Sequence, residues 1–341
     1  MMQQPTHPEL RNVQTTTAPN CSGFGDNGRD VRPRVALPDG TGSRKPTRHK
    51  SPAMPYTSPI GALPPALVED AVRRALGEDL GLAGDLTSQA TIRADATATA
   101  TLSAREGGVI AGLPVALEVF RQLGGGVGFD ARVADGAAVA KGDIVAVVSG
   151  DARQLLAGER TALNFLNHLS GIASLTRQFV DAVAGTKARI CDTRKTLPGL
   201  RAFEKYAVRC GGGSNHRYGL SDGILIKDNH VAVAGGAGQA YRAARAAAGH
   251  LVAIEIEVTT LSELEEVLEA GATIVMLDNM DNELLKAAVR LNDGRARLEA
   301  SGGVTLERVR GIAETEVDYI SSSQITMGAK PLDLGLDVEI R

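Results

Sequence analysis

Apolar residues first recur at helical spacing at Leu67, Ala71, Val72, Ala75 and Leu76, which predicts an amphipathic helix that Gly77 to Gly84 closes and leads into a loop. Three later runs read as strands, Thr97 to Ala104, Phe129 to Ala134 and Asp143 to Val148, and Leu113 to Leu123 between them reads as a helix. This predicts a first α/β domain of mixed strands and helices. From about residue 170 strands alternate with Ala-rich helices. The strands are Arg189 to Asp192, Gly223 to Lys227, Val252 to Val258, Ile274 to Asp278, Arg297 to Ala300 and Asp318 to Ser321. Helices such as Gln239 to Ala248 and Leu261 to Ala270 lie between several of them, the latter with Thr260 or Ser262 as its cap. Such repetition implies parallel strands with right-handed crossovers, closed or nearly closed into a barrel, with an open doubly wound sheet as the alternative.

Composition narrows the function classes. With 341 residues the chain has room for two cored domains, and with 3% aromatics and no Trp those cores must be built from Ala, Val, Leu and Ile. A net charge of −3 argues against a protein that coats nucleic acid or anionic membrane. The first 60 residues hold nine of the 14 prolines, with eight Arg and Lys against four Asp and Glu. That leaves this stretch at +4 and the remainder at −7, and such a stretch is expected to be a disordered extension. Cys21, Cys191 and Cys210 are odd in number and fit no zinc spacing, so a reducing cytoplasm is the expected setting, with Cys191 an inert buried thiol. No run of 18 apolar residues and no signal-peptide core is present.

The candidate chemistry lies at the C-terminal ends of the predicted barrel strands, where βα architectures gather functional groups. Asp192-Thr193-Arg194-Lys195 follows the first strand and Lys227-Asp228-Asn229-His230 the second, with Asn215-His216-Arg217 between them. Glu257 points inward near the end of the third, Asp278 ends the fourth, and Ser301-Gly302-Gly303 follows the fifth. Arg194, Lys195, His216, Arg217 and Lys227 are too costly to desolvate without anions to meet, which predicts a pocket for a polyanionic small molecule. Ser301 to Gly303 has the small side chains that let backbone N–H groups approach a phosphate. Glu255, one layer deeper, is read as an anchor for Lys227 or Lys195. Gly211-Gly212-Gly213 is read either as plain linker or as a loop that folds over a ligand. Asn279 and Met280 are read as loop and packing residues. In Glu159 to Val180, Arg160, Asn164, Asn167 and His168 form a polar helical face that is either solvated or projects Arg160 into a pocket, its own or a neighbouring subunit's. The hairpin at Val133 to Asp143 is similar to those of lipoyl carrier domains, without the lysine at its tip.

Taken with Glu78-Asp79-Leu80, Gly84-Asp85-Leu86-Thr87-Ser88, Glu159-Arg160-Thr161-Ala162-Leu163-Asn164, His168-Leu169-Ser170-Gly171, Asp192 to Thr196, Asn215-His216-Arg217, Leu220-Ser221-Asp222, Lys227 to His230 and Leu277-Asp278-Asn279-Met280, residues 63 to 341 resemble the quinolinate phosphoribosyltransferase family. The resemblance implies an α/β fold, an N-terminal α/β sandwich domain plus a six-stranded α/β barrel. Residues 1–62 would form the extension, 63–170 the first domain with 326–341 returning to it, and 171–325 the barrel. It implies the decarboxylating transfer of a phosphoribosyl group to quinolinate, with Mg2+ as cofactor. It also implies a homodimer in which Arg160 completes the neighbour's site, and no nucleic-acid or membrane partner. Arg194, His216 and Arg217 would hold the quinolinate carboxylates, and Lys195 and Lys227 would line the same pocket. Glu257 and Asp278 would serve the ribose and the metal, directly or through water or substrate, and Ser301, Gly302 and Gly303 the 5′-phosphate. Lys195, Lys227, Glu257 and Asp278 are the expected catalytic residues. One departure stands at Gln324 to Ala329, where members commonly carry Gly-x-Leu-Thr-His-Ser. The rival readings are a molybdenum-associated pyrophosphorylase-like relative, a Schiff-base aldolase using Lys195 or Lys227, and a noncatalytic phosphate-ligand binder.

Overall fold

Alternation along Thr97–Ala104 buries Ala100, Leu102 and Ala104 on one face, and that face founds the first layer of the protein. The computed structural model describes residues 61–124 and 126–339, so the Pro-rich extension, but for its last two residues, lies outside the described residues. Helix α1 (Pro65–Leu80) and the short α2 (Leu86–Thr91) precede β1 (Thr97–Ala104). Then come β2 (Gly108–Val109), α3 (Leu113–Gln122), β3 (Val127–Ala131), β4 (Ala138–Val139) and β5 (Ile144–Asp151). Helix α1 closes within the predicted Gly77–Gly84 stretch, beyond Gly77 itself. That glycine is exposed, where it costs a helix only about 1 kcal/mol, and the chain turns at Gly81, whose φ of 54° with ψ of −143° is open to glycine and strained for other residues.

The first sheet is antiparallel with order β12-β1-β5-β3, and β12 (Leu334–Glu339) enters it from the far end of the chain, pairing Leu102 with Leu336. Helices α3 and α4 (Ala152–Ala182) pack against this sheet, and α1 packs on both of them. Asp151 caps α4 by accepting the Gln154 N–H at 2.9 Å. This 31-residue helix runs without a break through residues 170 and 171, because its two sides serve two layers. One side packs on α3 and β5, the other on helices of the second domain. A Cβ on Gly171 would lie 2.1 Å from the Lys330 carbonyl oxygen, so the returning C-terminal segment rests directly on the helix backbone.

The second domain alternates strand and helix: β6 (Arg189–Cys191), α5 (Arg201–Cys210), β7 (Ile224–Ile226), α6 (Asp228–Ala234), α7 (Ala237–Ala247), β8 (Ile254–Val258), α8 (Leu261–Glu269), β9 (Ile274–Asp278), α9 (Asn282–Asn292), β10 (Arg297–Ser301), α10 (Leu306–Ala313), β11 (Tyr319–Ser321) and α11 (Gln324–Met327). Its six strands are parallel in the order β6-β11-β10-β9-β8-β7. The end strands β6 and β7 share no ladder among the described residues. Ser214 forms a parallel bridge with Cys191, so the segment after α5 runs along the free edge of β6. No helix among the described residues is long and apolar enough to cross a membrane.

Candidate active site

Parallel strands covered by helices bury one face outward and leave the other to line the barrel interior. On β8 the outward residues are Ile254, Ile256 and Val258, and Glu255 and Glu257 point inward, at 8% and 9% exposure. The same alternation turns Met276 and Asp278 of β9, Ser301 of β10 and Ser321 of β11 toward a cavity of about 790 Å³ at the strand ends. Arg194, Lys195, His216, Arg217, Lys227, Gly302 and Gly303 complete its wall. Arg160 does not reach it: that residue is exposed on α4. Asn164 and His168 line a second cavity, of about 680 Å³, between α1, α4 and the 198–200 loop.

The loop that carries Arg194 and Lys195 is pinned through its backbone. Arg201 donates to the Arg194 carbonyl oxygen at 3.1 Å and Thr326 to that of Lys195 at 2.8 Å. Glu204, fully buried, accepts the Leu197 N–H with both carboxylate oxygens at 3.3 Å and bonds His168 at 3.0 Å. The side chains of Arg194 and Lys195 have no hydrogen-bond or ion-pair partner among the described residues, so two charged heads are held out over the cavity. Arg217 donates to the Gly223 carbonyl oxygen at 2.9 Å and meets no carboxylate of the described residues at hydrogen-bond distance. Burial, and then the charge of Arg194, lower its pKa below the ordinary guanidinium value. Two guanidiniums that repel one another on one wall of a cavity make a receptor for an anion.

Acidic groups stand on the other wall. Lys227 Nζ donates to Glu257 Oε2 at 2.6 Å, and Asn279 Nδ2 to Asp278 Oδ2 at 2.6 Å. Each carboxylate therefore has one oxygen engaged by protein. Gly302 and Gly303 adopt φ of 92° and 58°, and a Cβ on Gly302 would lie 2.3 Å from Asn279 Oδ1. The turn thus presents bare backbone at the approach to α10, an arrangement suited to phosphate oxygens.

Below the cavity lies a buried polar hub. Asp192, with no exposed surface, accepts from Lys205 Nζ at 2.5 Å, Asn215 Nδ2 at 2.6 Å and the His216 N–H at 2.8 Å. Burial raises the Asp192 pKa, against the lowering effect of Lys205 and these donors, as expected for a desolvated ion pair. Asp192 is therefore scaffold for Asn215 to Arg217. His216 Nε2 lies 2.9 Å from Glu255 Oε2 and 3.7 Å from Glu299 Oε1, and its Nδ1 accepts the Arg217 N–H at 2.7 Å. Burial lowers the His216 pKa, but the bond to Glu255 and the charges of Glu299 and Glu255 raise it overall. Protonation would also cost the bond from Arg217, because a protonated Nδ1 cannot accept. Glu299, nearly fully buried, is pushed well above the ordinary carboxylate range by burial and then by the charge of Glu255.

Several expectations change here. Glu255 bonds His216, not a lysine, because the 214–217 segment beside β6 places the imidazole over the second layer of the barrel. The glycines at 211 to 213 neither link loosely nor cover a ligand. They let the end of α5 touch α4, where a Cβ on Gly211 would lie 2.4 Å from the Ala173 carbonyl oxygen. Asn279 is more than a loop residue, with φ of 55°, a place in the cavity wall and an N–H donated to Ser301 at 2.9 Å. Met280 is buried packing. His230 caps its own helix, accepting the Lys227 N–H at 2.9 Å. Asp135, in the hairpin likened to a carrier domain, accepts from the Gly112 and Leu113 N–H groups and from the Tyr206 hydroxyl at 2.6 Å, tying α3 to α5. Sequence reading missed Lys205, Glu204, Glu299 and the Ser321-Ser322-Ser323 wall. Only the serines carried a signal, since they end a strand on the side where the other site residues lie.

Comparison with known proteins agrees with this geometry. Residues 85–170 match the N-terminal domain of quinolinate phosphoribosyl transferase and residues 172–337 its C-terminal domain. A nicotinate-nucleotide pyrophosphorylase [carboxylating] of Mycobacterium leprae (strain TN) is 48% identical over 274 residues, 79% of this chain and 96% of that protein. A probable one of Bacillus subtilis (strain 168) is 44% identical, over 77% of this chain and 90% of that protein. The crystal structure of NadC from Streptococcus pyogenes superposes with a TM-score of 0.79 at 42% identity, over 82% of this chain and 99% of that one. With both domain profiles matched end to end and the strand-end residues on one cavity, the chain belongs to the quinolinate phosphoribosyl transferase family.

Proposed function

We propose that this chain makes nicotinate mononucleotide, carbon dioxide and pyrophosphate from quinolinate and phosphoribosyl pyrophosphate, as a step of NAD biosynthesis. The observation that carries the reading is the pair Arg194 and Arg217, unneutralised on one side of a cavity whose other side holds Glu257, Asp278 and the Ser301–Gly303 turn. A ring with two adjacent carboxylates satisfies both guanidiniums, each able to form two parallel bonds, and such a grip fixes the ring nitrogen toward the sugar. Lys195 and Lys227 supply positive charge where pyrophosphate departs. Glu257 and Asp278 face the sugar hydroxyls, and the bare turn takes the 5′-phosphate. Orientation of this kind is worth several kcal/mol. Once the nitrogen is alkylated, its positive charge stabilises the carbanion left by loss of the neighbouring carboxylate, so no covalent enzyme intermediate is needed.

Mg2+ fits the residues present. Glu257 and Asp278 are hard oxygen donors on the same wall, each with only one oxygen bonded by protein among the described residues, and Mg2+ is commonly held by one or two carboxylates together with substrate phosphates. The ion, when bound, would neutralise charge on pyrophosphate. Arg160, exposed on α4 and without a partner among the described residues, is proposed to complete the site of a second copy in a homodimer. A cytoplasmic setting accords with the free, buried thiols of Cys191 and Cys210.

The test is Mg2+-dependent release of carbon dioxide from carboxyl-labelled quinolinate. Release that requires phosphoribosyl pyrophosphate and survives excess nicotinate supports the reading. Release without it, or none at all, refutes it.

A further inference from the structure

Strand β11 stands between β6 and β10 in the sheet, so the segment that leaves it, Ser322 to Gly328, passes between the Arg194–Lys195 loop on one side and the Ser301–Gly303 turn on the other. Two buried hydroxyls tie that segment to both neighbours. Ser322, 5% exposed, donates to the Val304 carbonyl oxygen at 2.9 Å, directly after the turn, and accepts the Gln324 N–H at 3.2 Å. Thr326, 3% exposed, donates to the Lys195 carbonyl oxygen at 2.8 Å, the nearer of two that face it, with that of Ser323 at 3.2 Å. The chain between them is held stiff. The Met327 and Gly328 N–H groups close the turn of α11 at 2.9 Å each, and Ile325 within it is fully buried. Main-chain carbonyls are the acceptors at both ends, so the hydroxyls fix where backbone lies and add no charge. Ser322 lies in the cavity wall, but its one proton is committed to Val304.

We infer that Ser322 and Thr326 are positioning residues that make this segment a strut of fixed length between the phosphate turn and the Lys195 loop, and that the strut sets the span over which the two phosphate-bearing ends of one substrate are bound. The inference rests on the phosphoribosyl pyrophosphate reading above, in which the turn takes the 5′-phosphate and Lys195 meets the pyrophosphate. A ligand with phosphate at both ends gains from a preset span, because neither loop has to be ordered when it binds. A ligand held at one end gains nothing from it. Both hydroxyls act through main chain.

Thr326→Val keeps the shape of the side chain without its hydroxyl, Thr326→Ser keeps the hydroxyl, and Ser322→Ala releases the other end. Dissociation constants are measured by titrating the full chain, with Mg2+ present, with phosphoribosyl pyrophosphate, with pyrophosphate alone and with nicotinate mononucleotide. Thr326→Val and Ser322→Ala are each expected to weaken phosphoribosyl pyrophosphate about tenfold, and Thr326→Ser to stay within about twofold of wild type. The double variant Ser322→Ala, Thr326→Val should be no more than about twofold worse than either single one, because a strut cut at one end no longer sets a span. Pyrophosphate alone and the mononucleotide, each held at one end, should bind every variant within about twofold of wild type. Parallel losses for these two ligands, or losses that multiply in the double variant, would mean two separate local roles and overturn the inference. Phosphoribosyl pyrophosphate binding that matches wild type in Thr326→Val or in Ser322→Ala overturns it as well, and either variant carries this test if the other does not fold. Wild type that binds no phosphoribosyl pyrophosphate at all overturns the functional reading itself, and the strut falls with it.

Discussion

Single side chains divide into those that face substrate and those that hold them there. Arg194 and Arg217 belong to the first kind. Removing either guanidinium forfeits charge-assisted bonds of about 1.5–3 kcal/mol, so Arg194→Ala and Arg217→Ala are each expected to raise the KM for quinolinate roughly ten- to a hundredfold. The KM for phosphoribosyl pyrophosphate should stay near wild type, and unchanged titration by quinolinate would count against the assignment. Glu299 belongs to the second kind. Its folded pKa lies above the unfolded value of 4.5, so the native state binds the extra proton. The stability tied to that proton is complete below this value and is lost as the pH rises through the folded one. Glu299→Gln is uncharged at every pH, so its melting temperature relative to wild type should climb from mildly acidic to mildly alkaline buffer. A difference that does not vary with pH would show that Glu299 is ionised throughout.

Among the elements, α4 does the most joining. Its backbone at Gly171 lies against Lys330, just before β12 leaves to pair with β1. A methyl group there has no room, because the obstacle is main chain and not the end of a flexible side chain. Gly171→Ala is expected to lower stability by about 1–3 kcal/mol, read as a lower denaturation midpoint. An unchanged midpoint would mean that the C-terminal return packs more loosely than described. The extent of α4 was partly legible beforehand. Periodicity covered Glu159 to Val180 but missed Ala152 to Gly158, about the first two turns, whose start is fixed by Asp151 capping the Gln154 N–H.

For the molecule as a whole, Arg160 decides whether a site is built by one subunit or by two. It stands outside the strand-end cavity, on a helix that also lines the second cavity with Asn164 and His168. If each site borrows this arginine from a partner, Arg160→Ala and Arg217→Ala are each nearly inactive alone. An equimolar mixture that exchanges subunits would then recover about a quarter of the wild-type sites, since half the dimers are hybrids with one intact site each. No recovery after verified exchange would place Arg160 outside the site.

Alternation and turn chemistry by themselves determined β1, β3, β5 and the six parallel strands, though not β2, β4 or β12, and which ends carry the polar clusters. Strand faces differ in hydrophobicity residue by residue, and Ile274–Asp278 was found to the residue. The positions of Arg194, Lys195, Lys227, Glu257, Asp278 and Ser301 on one cavity followed from the rule that βα strands deliver function at their C-terminal ends. Tertiary structure alone decided what each polar group touches. Glu255 and Glu257 look alike in sequence, two residues apart on one inward face, yet one bonds His216 and the other Lys227. Asp192 lies beside Arg194 in the chain and is nonetheless sealed beneath it by Lys205, a residue on a helix that no pattern had announced. Contacts of this sort join positions distant along the chain, and burial, charge and hydrogen-bond partners come into being only when the layers close on one another.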